Sequence, residues 1–249
     1  MLKSLEISVF SQIVFDRLSV LLRRIYARVD TPAILEMERY FPQSQALRDE
    51  IGAIRDEAIA LFQSHPNVPK FHEISATQSR ISANDGKNWR IVLVKAYGRF
   101  VAGNAELAPT LTRYLKANPQ ITTATISYLD PGKHIPPHRG PFRGILRYHI
   151  CLFAPDALSD NPPWLRVDAD KVPYAEGKDL LWDDTFEHEV LNPGPNPRIA
   201  VLLDIKRPVK SWPLKAIYWV TIGAGSIYTL FNQRHMRIDK SKHANRASG

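Results

Sequence analysis

The stretch Gly144-Ile145-Leu146-Arg147-Tyr148-His149-Ile150-Cys151-Leu152-Phe153 decides the fold class. In an extended chain successive side chains point to opposite faces. Leu146, Tyr148, Ile150 and Leu152 then make an ordinary apolar face, while Ile145, Arg147, His149 and Cys151 share the other. Two polar groups thus stand where the interior of a barrel or sandwich belongs. Arg198–Ile205 repeats the pattern, with Arg198, Ala200, Leu202 and Asp204 on one face and Ile199, Val201 and Leu203 opposite. A buried arginine at the start of an apolar strand needs an anionic partner. The inward cations therefore propose an acidic ligand. The alternative is that Arg147 and Arg198 reach the rim or pair with Asp183, Asp184 or Glu187.

Working outward, Trp89–Tyr97, Thr122–Leu129, Leu180–Trp182 and Glu187–Leu191 are further short strands. Asp130-Pro131-Gly132 and Asn192-Pro193-Gly194-Pro195 are turns between them. Helical spacing runs from Phe41 to Ser64 through Leu47, Ile51, Ile54, Ala58 and Leu61, and a short helix covers Leu107–Ala117. Residues 65–88 are polar and irregular. The expectation is a mainly β chain with flanking helices, built as a sandwich or jelly roll.

The chain has 249 residues, 44% hydrophobic and 23% charged, which excludes wholesale disorder and allows one sizeable core. Cys151 is the sole cysteine, so no internal disulfide forms and a reducing compartment suits the chain. The net charge of +8 is concentrated: residues 205–249 hold nine lysines and arginines against Asp239 alone. Such a segment steers a protein to an anionic surface without arguing a nucleic-acid reader, and no nucleic acid is expected. The first 28 residues lack a cleavage site and place Leu2, Leu5, Val9, Ile13, Leu18, Leu21, Leu22 and Ile25 at helical spacing among four arginines. They read as an amphipathic helix lying on a membrane or packed on the core. Ala216–Phe231 is uncharged but shorter than the about 20 residues that span a bilayer. With Trp212, Tyr218, Trp219 and Tyr228 it reads as an interfacial helix, or as a cover for the core. The division expected is 1–44 as an amphipathic helical segment, 45–208 as the main domain with its strands over 89–208, and 209–249 as a basic segment. The location expected is cytoplasmic, at the inner face of the cytoplasmic membrane.

Four of the eight histidines, His134, His138, His149 and His188, lie in the strand-rich region. His138 and His188 are fifty residues apart and can meet across a jelly roll as metal ligands, though spacing alone is a weak signal. The set His138-x-Gly140-Pro141, Arg147-x-His149, Asp184-x-Phe186-Glu187-His188-Glu189 and Arg198 resembles the aspartyl/asparaginyl β-hydroxylase family. The resemblance covers roughly residues 89–208 and extends to the helix around Ile54–Ala58, which looks like the corresponding segment of bacterial lipid A and ornithine-lipid hydroxylases.

The resemblance implies a double-stranded β-helix (a jelly-roll, cupin-like core) and an Fe(II)- and 2-oxoglutarate-dependent dioxygenase using O2. It implies His138 and His188 as iron ligands, with Gly140 where many such oxygenases carry a third, carboxylate ligand. It implies Asp184 beside the metal, Arg198 and Ser127 on the distal carboxylate of 2-oxoglutarate, and Arg147 and His149 at the end nearest the iron. A membrane-lipid acyl chain is the favoured substrate, with membrane contact through residues 1–28 and 209–249. An aspartyl or asparaginyl residue or a small acidic metabolite is the alternative, and a non-catalytic cupin-like binding module the remote one.

Overall fold

The computed structural model describes residues 2–238, with side chains from residue 12 onward. The side chains of Leu2, Leu5 and Val9, and the tail with Lys240, Lys242 and Arg246, lie outside the described residues.

Among the described residues ten strands form two antiparallel sheets. They are β1 (Trp89–Ala96), β2 (Arg99–Phe100), β3 (Ile121–Leu129), β4 (His134–His138), β5 (Ile145–Phe153), β6 (Trp164–Val167), β7 (Asp170–Pro173), β8 (Asp179–Trp182), β9 (His188–Leu191) and β10 (Arg198–Lys206). The larger sheet runs β2-β1-β3-β10-β5-β8 and the smaller β4-β9-β6-β7. The chain is mainly β with flanking helices, and the two wound sheets make a double-stranded β-helix.

Alternation sorts the large sheet into two faces. Its outer face supplies Leu146, Tyr148, Ile150, Ile199, Val201 and Leu203, all buried. Onto it pack α3 (Ser44–Asp49), α4 (Ile51–Ser64) and α7 (Pro109–Ala117) through Leu47, Ile54, Ala58, Leu61, Leu111 and Leu115. The preceding α1 (Leu2–Ile25) and α2 (Met37–Tyr40), the intervening α5 (Phe71–Ile74) and α6 (Ser79–Ser82), and the final α8 (Trp212–Met236) complete the helices. The inner face meets the small sheet through Ile91, Leu93, Leu129, Cys151 and Trp182 against Ile135, Leu165, Val167 and Val190.

Two readings need adjustment. The helical run Phe41–Ser64 divides into α3 and α4, because Glu50 leaves helical geometry at φ −103° and ψ 9° and pairs with Arg113 of α7. Residues 65–88 are not wholly irregular: α5 forms where Glu73 accepts a hydrogen bond from the Lys70 backbone N–H at 2.8 Å.

The terminal helices pack on one another. Tyr26, in the turn directly after α1, stacks edge-on to Phe142 at 5.4 Å and donates its hydroxyl to the Leu214 carbonyl of α8 at 2.6 Å. Helix α8 buries Tyr218, Ile222, Thr229 and Met236 yet leaves Trp219, Val220, Ile227, Tyr228 and Phe231 exposed. Among the described residues no helix is long and apolar enough to cross a membrane.

Candidate active site

The register of the small sheet brings the two histidines together. His138 on β4 is the cross-strand partner of His188 on β9, and their rings lie 4.0 Å apart between centroids. Each ring is oriented from behind. Nδ1 of His138 bonds the Pro136 carbonyl at 2.8 Å, and Nδ1 of His188 bonds the Phe186 carbonyl at 2.9 Å. A carbonyl only accepts, so both Nδ1 atoms carry the proton and both Nε2 atoms keep a lone pair. Burial, then the Arg147 charge, holds His138 down to about 4 against the pull of its Pro136 bond. Burial and His138 likewise push His188 well below the usual imidazole value. The pair is therefore neutral at physiological pH, the state in which imidazole binds a metal. Trp182 of β8 closes one side, edge-on to His188 at 4.5 Å.

Beneath the pair runs the inner face of β5 and β10. Register sets Asp204 opposite Arg147, Leu202 opposite His149 and Ala200 opposite Cys151. Arg147 bonds Asp204 at 3.0 Å through Nε and meets Asp184 at 3.3 Å. Of the pairings weighed from the sequence, the one with Asp184 forms, and Asp204 is the partner not anticipated. Asp184 is buried, and its Oδ1 has no hydrogen-bond partner. Burial, opposed by Arg147 and aided by Asp204 and Asp183, raises its carboxyl to about 6. This carboxyl fills the space over Gly140: a Cβ built there would stand 2.2 Å from its carbon. Any side chain at 140 would collide with it.

Arg198 does not reach the rim, and among the described residues it pairs with no acid. It is 2% exposed, its Nε has no partner, and its Nη1 approaches Nε2 of His149 at a long 3.4 Å. Its guanidinium lies over the Tyr174 ring at 4.1 Å. Burial and the Arg198 charge keep His149 neutral, so Nε2 accepts and Nδ1–H donates to the Tyr174 hydroxyl at 3.1 Å. Ser127 on β3 stands opposite Ala200, diagonally across from Arg198. Its oxygen accepts from the Trp89 indole at 3.0 Å, which leaves its own proton to donate.

A buried guanidinium whose Nε lacks a partner and which no carboxylate meets among the described residues, with a free hydroxyl diagonal to it, fits a carboxylate. Two neutral imidazoles with free Nε2 atoms fit a divalent transition metal. The residues present thus suit iron and 2-oxoglutarate. Among the described residues no three histidine, cysteine or carboxylate groups converge as a metal cluster.

Sequence reasoning misses Tyr174 and Trp182, and it weighs Asp183 as a partner of Arg147 or Arg198 where the structure pairs it with Arg143 and Arg207. Asp183 accepts from Arg143, Arg207 and its neighbour Thr185, and so ties down the loop leading into β9. Tyr174 sits in a loop with no motif around it. Trp182 looks like any apolar strand residue. The Asp183 partners are 24 and 40 residues away, beyond any local pattern.

Residues 48–208 match the family model described as aspartyl/asparaginyl beta-hydroxylase. The chain is 30% identical over 206 residues to an ornithine lipid ester-linked acyl 2-hydroxylase of Rhizobium tropici, covering 83% of this chain and 71% of that one. It is 26% identical over 183 residues to the human aspartyl/asparaginyl beta-hydroxylase, covering 72% of this chain but only 21% of that one. A cupin domain of Bordetella pertussis overlays 34% of this chain and 80% of its own, at a TM-score of 0.26 and 20% identity. The fold assignment rests on the strand pairings, not on that overlay.

Proposed function

Since the chain belongs to the aspartyl/asparaginyl β-hydroxylase family, we propose that it is an Fe(II)- and 2-oxoglutarate-dependent dioxygenase hydroxylating an unactivated C–H bond of a membrane-lipid acyl chain. The observation that carries this reading is Arg198: a buried cation without a salt bridge among the described residues, on the inner face of the large sheet, with a neutral histidine pair on the small sheet across from it.

Bound there, iron and 2-oxoglutarate supply the oxidation, in which O2, the cosubstrate and the C–H substrate give succinate, CO2 and the alcohol. His138 and His188 hold the metal through Nε2, kept in place by their Nδ1–H bonds to backbone carbonyls. Arg198 and the Ser127 hydroxyl grip the distal carboxylate. His149 and Arg147 face the end nearer the metal. Asp184 offers Oδ1 as an acceptor beside the pair. Trp182 and the apolar layer between the sheets exclude water from the reacting centre.

Three features support a lipid substrate. Both terminal helices leave apolar side chains exposed, among them Leu18 and Leu21 on α1 and Phe231 at 79% on α8. The C-terminal 45 residues are strongly basic, which draws a protein to anionic lipid. The relative from Rhizobium tropici carries a name that specifies a lipid acyl chain. On this reading residues 1–28 and 209–249 touch the inner face of the cytoplasmic membrane, and 45–208 is the catalytic domain.

The test is succinate production from 2-oxoglutarate under air with Fe(II) and ascorbate, first without substrate and then with acyl lipid vesicles. Turnover lost in both His138→Ala and Arg198→Ala is the expected result. Turnover that survives either substitution overturns the site assignment. Succinate formation stimulated by an aspartyl peptide but not by lipid overturns the substrate class.

A further inference from the structure

A cavity of about 350 Å³ opens between α1 and the loops that carry the histidine pair. Arg139, directly after His138, lines it, as does Phe186, whose carbonyl orients His188. The cavity therefore shares a wall with the metal-binding pair. Four guanidiniums reach it: Arg23 and Arg24 from α1, and Arg139 and Arg143 from the loop after β4.

The local anions do not balance these charges. Asp183 accepts from Arg143 and is already shared with Arg207. None of Arg23, Arg24 and Arg139 forms a salt bridge among the described residues. Arg23 donates one bond to the Gly140 carbonyl at 3.1 Å, and Arg139 one long bond to the Thr185 carbonyl at 3.4 Å. Arg24 has no side-chain hydrogen bond among the described residues. Burial, then the neighbouring Arg139, pushes Arg23 below its ordinary value against the opposing pull of Asp184 and Asp16. Arg24 and Arg139 are exposed and Arg23 is half-buried, so an anion entering here finds three guanidiniums that no salt bridge occupies among the described residues.

The crowding is built in rather than incidental. Tyr26 clamps the end of α1 through Phe142 and Leu214, which fixes the preceding turn, with Arg23 and Arg24, against the loop 139–143. Arg23 and Arg24 also lie outside the residues matched by the family model, which span 48–208. The rest of the wall is mainly apolar: Val20 of α1, Ala27 in the turn after it, and Phe186, with Thr185 the polar residue among them. A site with guanidiniums on one part and hydrocarbon on another suits an amphiphile better than an acidic peptide.

We propose that Arg23, Arg24, Arg139 and Arg143 bind the oxyanion head, phosphate or carboxylate, of an amphiphilic substrate at the mouth of the histidine pocket. This deepens the lipid reading above and rests on it for the identity of the reacting chain. The N-terminal helix is then part of the substrate site. A guanidinium fork takes a phosphate or carboxylate bidentately, which a lysine does not reproduce.

The test is calorimetric titration of the full chain, without iron or 2-oxoglutarate, with dodecyl phosphate below its micellar concentration. Dodecyl maltoside, inorganic phosphate and hexa-aspartate are titrated alongside. One dodecyl phosphate per chain is expected, displaced by millimolar inorganic phosphate and not matched by the maltoside. Arg24→Ala and Arg139→Ala should each weaken it about tenfold or more, and Arg24→Lys should restore only part. Arg24 is exposed and unbonded, so its variants keep the fold. Three results overturn the proposal: no saturable binding of dodecyl phosphate, binding unchanged in the Arg24→Ala, Arg139→Ala double variant, or tighter binding of hexa-aspartate. Failure here leaves the succinate assay untouched, and failure of that assay leaves this titration untouched.

Discussion

Lys133 and Arg198 are both buried cations on the strand framework, and they are treated in opposite ways. Lys133 is 0% exposed, and its three N–H donors meet three acceptors: the Ser82 carbonyl at 2.9 Å, Asn84 Oδ1 at 2.7 Å and Asp85 Oδ1 at 2.6 Å. Its complement is full. Arg198 has five donors and finds one long bond to His149 and the face of Tyr174. Both residues lose hydration on burial, and only one is repaid within the chain. The satisfied cation belongs to scaffold. The unsatisfied one marks the place where something from outside completes the structure.

The largest effect should come from removing the unsatisfied cation. Arg198→Leu should weaken 2-oxoglutarate at least about 100-fold, as calorimetry on the metal-loaded chain would show, because a charge-assisted carboxylate contact disappears. The thermal midpoint should hold or rise, since an unpaired buried charge leaves with it. Unaltered affinity, or a large loss of stability, would break the contrast.

The mirror experiment is Asp85→Leu. It strips Lys133 of its counter-ion and should cost about 2 kcal/mol in urea unfolding, below the fully buried case because Asp85 is partly exposed. A variant as stable as the parent would show that the three-acceptor cage contributes nothing.

The same pair gives a smaller, pH-dependent effect. Burial alone would raise the Asp85 carboxyl, but hydrogen bonds from Lys133 and from the backbone N–H groups of His134 and Lys87 outweigh it and hold it below the usual value. The folded value is thus below the unfolded one. The stabilisation is whole above about pH 4, the unfolded carboxylate value, and is lost as pH falls through the lower folded value. Urea midpoints followed from pH 6 to pH 3 should fall less steeply in Asp85→Leu than in the parent. Parallel curves would remove Asp85 from the account.

The smallest change is Tyr174→Phe. It deletes the partner of His149 Nδ1 and should weaken 2-oxoglutarate about fivefold, the worth of one neutral hydrogen bond. Imidazole nitrogen shifts for His149 would report the loss of its fixed tautomer, which a purely packing role for Tyr174 would leave in place.

The contrast also explains what could be read from the sequence. The period of two in β5 and β10 is local, so the polar and apolar faces of those strands were legible residue by residue. His138 and His188 were legible as types, but their pairing is a property of register between β4 and β9. Arg198 could be named as an inward cation. That it has no counter-ion is a fact about three elements at once. Tyr174, Trp182 and the Arg207–Asp183 clamp carry no periodic signature. At Glu50 the helix breaks although the apolar spacing runs on unbroken, and nothing in the local pattern marks the place. The arginines of α1 were visible as a basic stripe, but only the tertiary packing turns two of them toward the site.

Gly140 and Asp184 have one further consequence, a rule of mutual exclusion. The carboxyl of Asp184 occupies the volume into which a side chain at 140 would grow. A carboxylate can enter that volume from the loop before β9 or from the segment after β4, but not from both. Gly140→Asp alone demands two carboxylates in one space, and Asp184→Gly alone empties it. Only the exchange of both together conserves occupancy, so the two positions are free to vary as a unit and constrained when they vary singly.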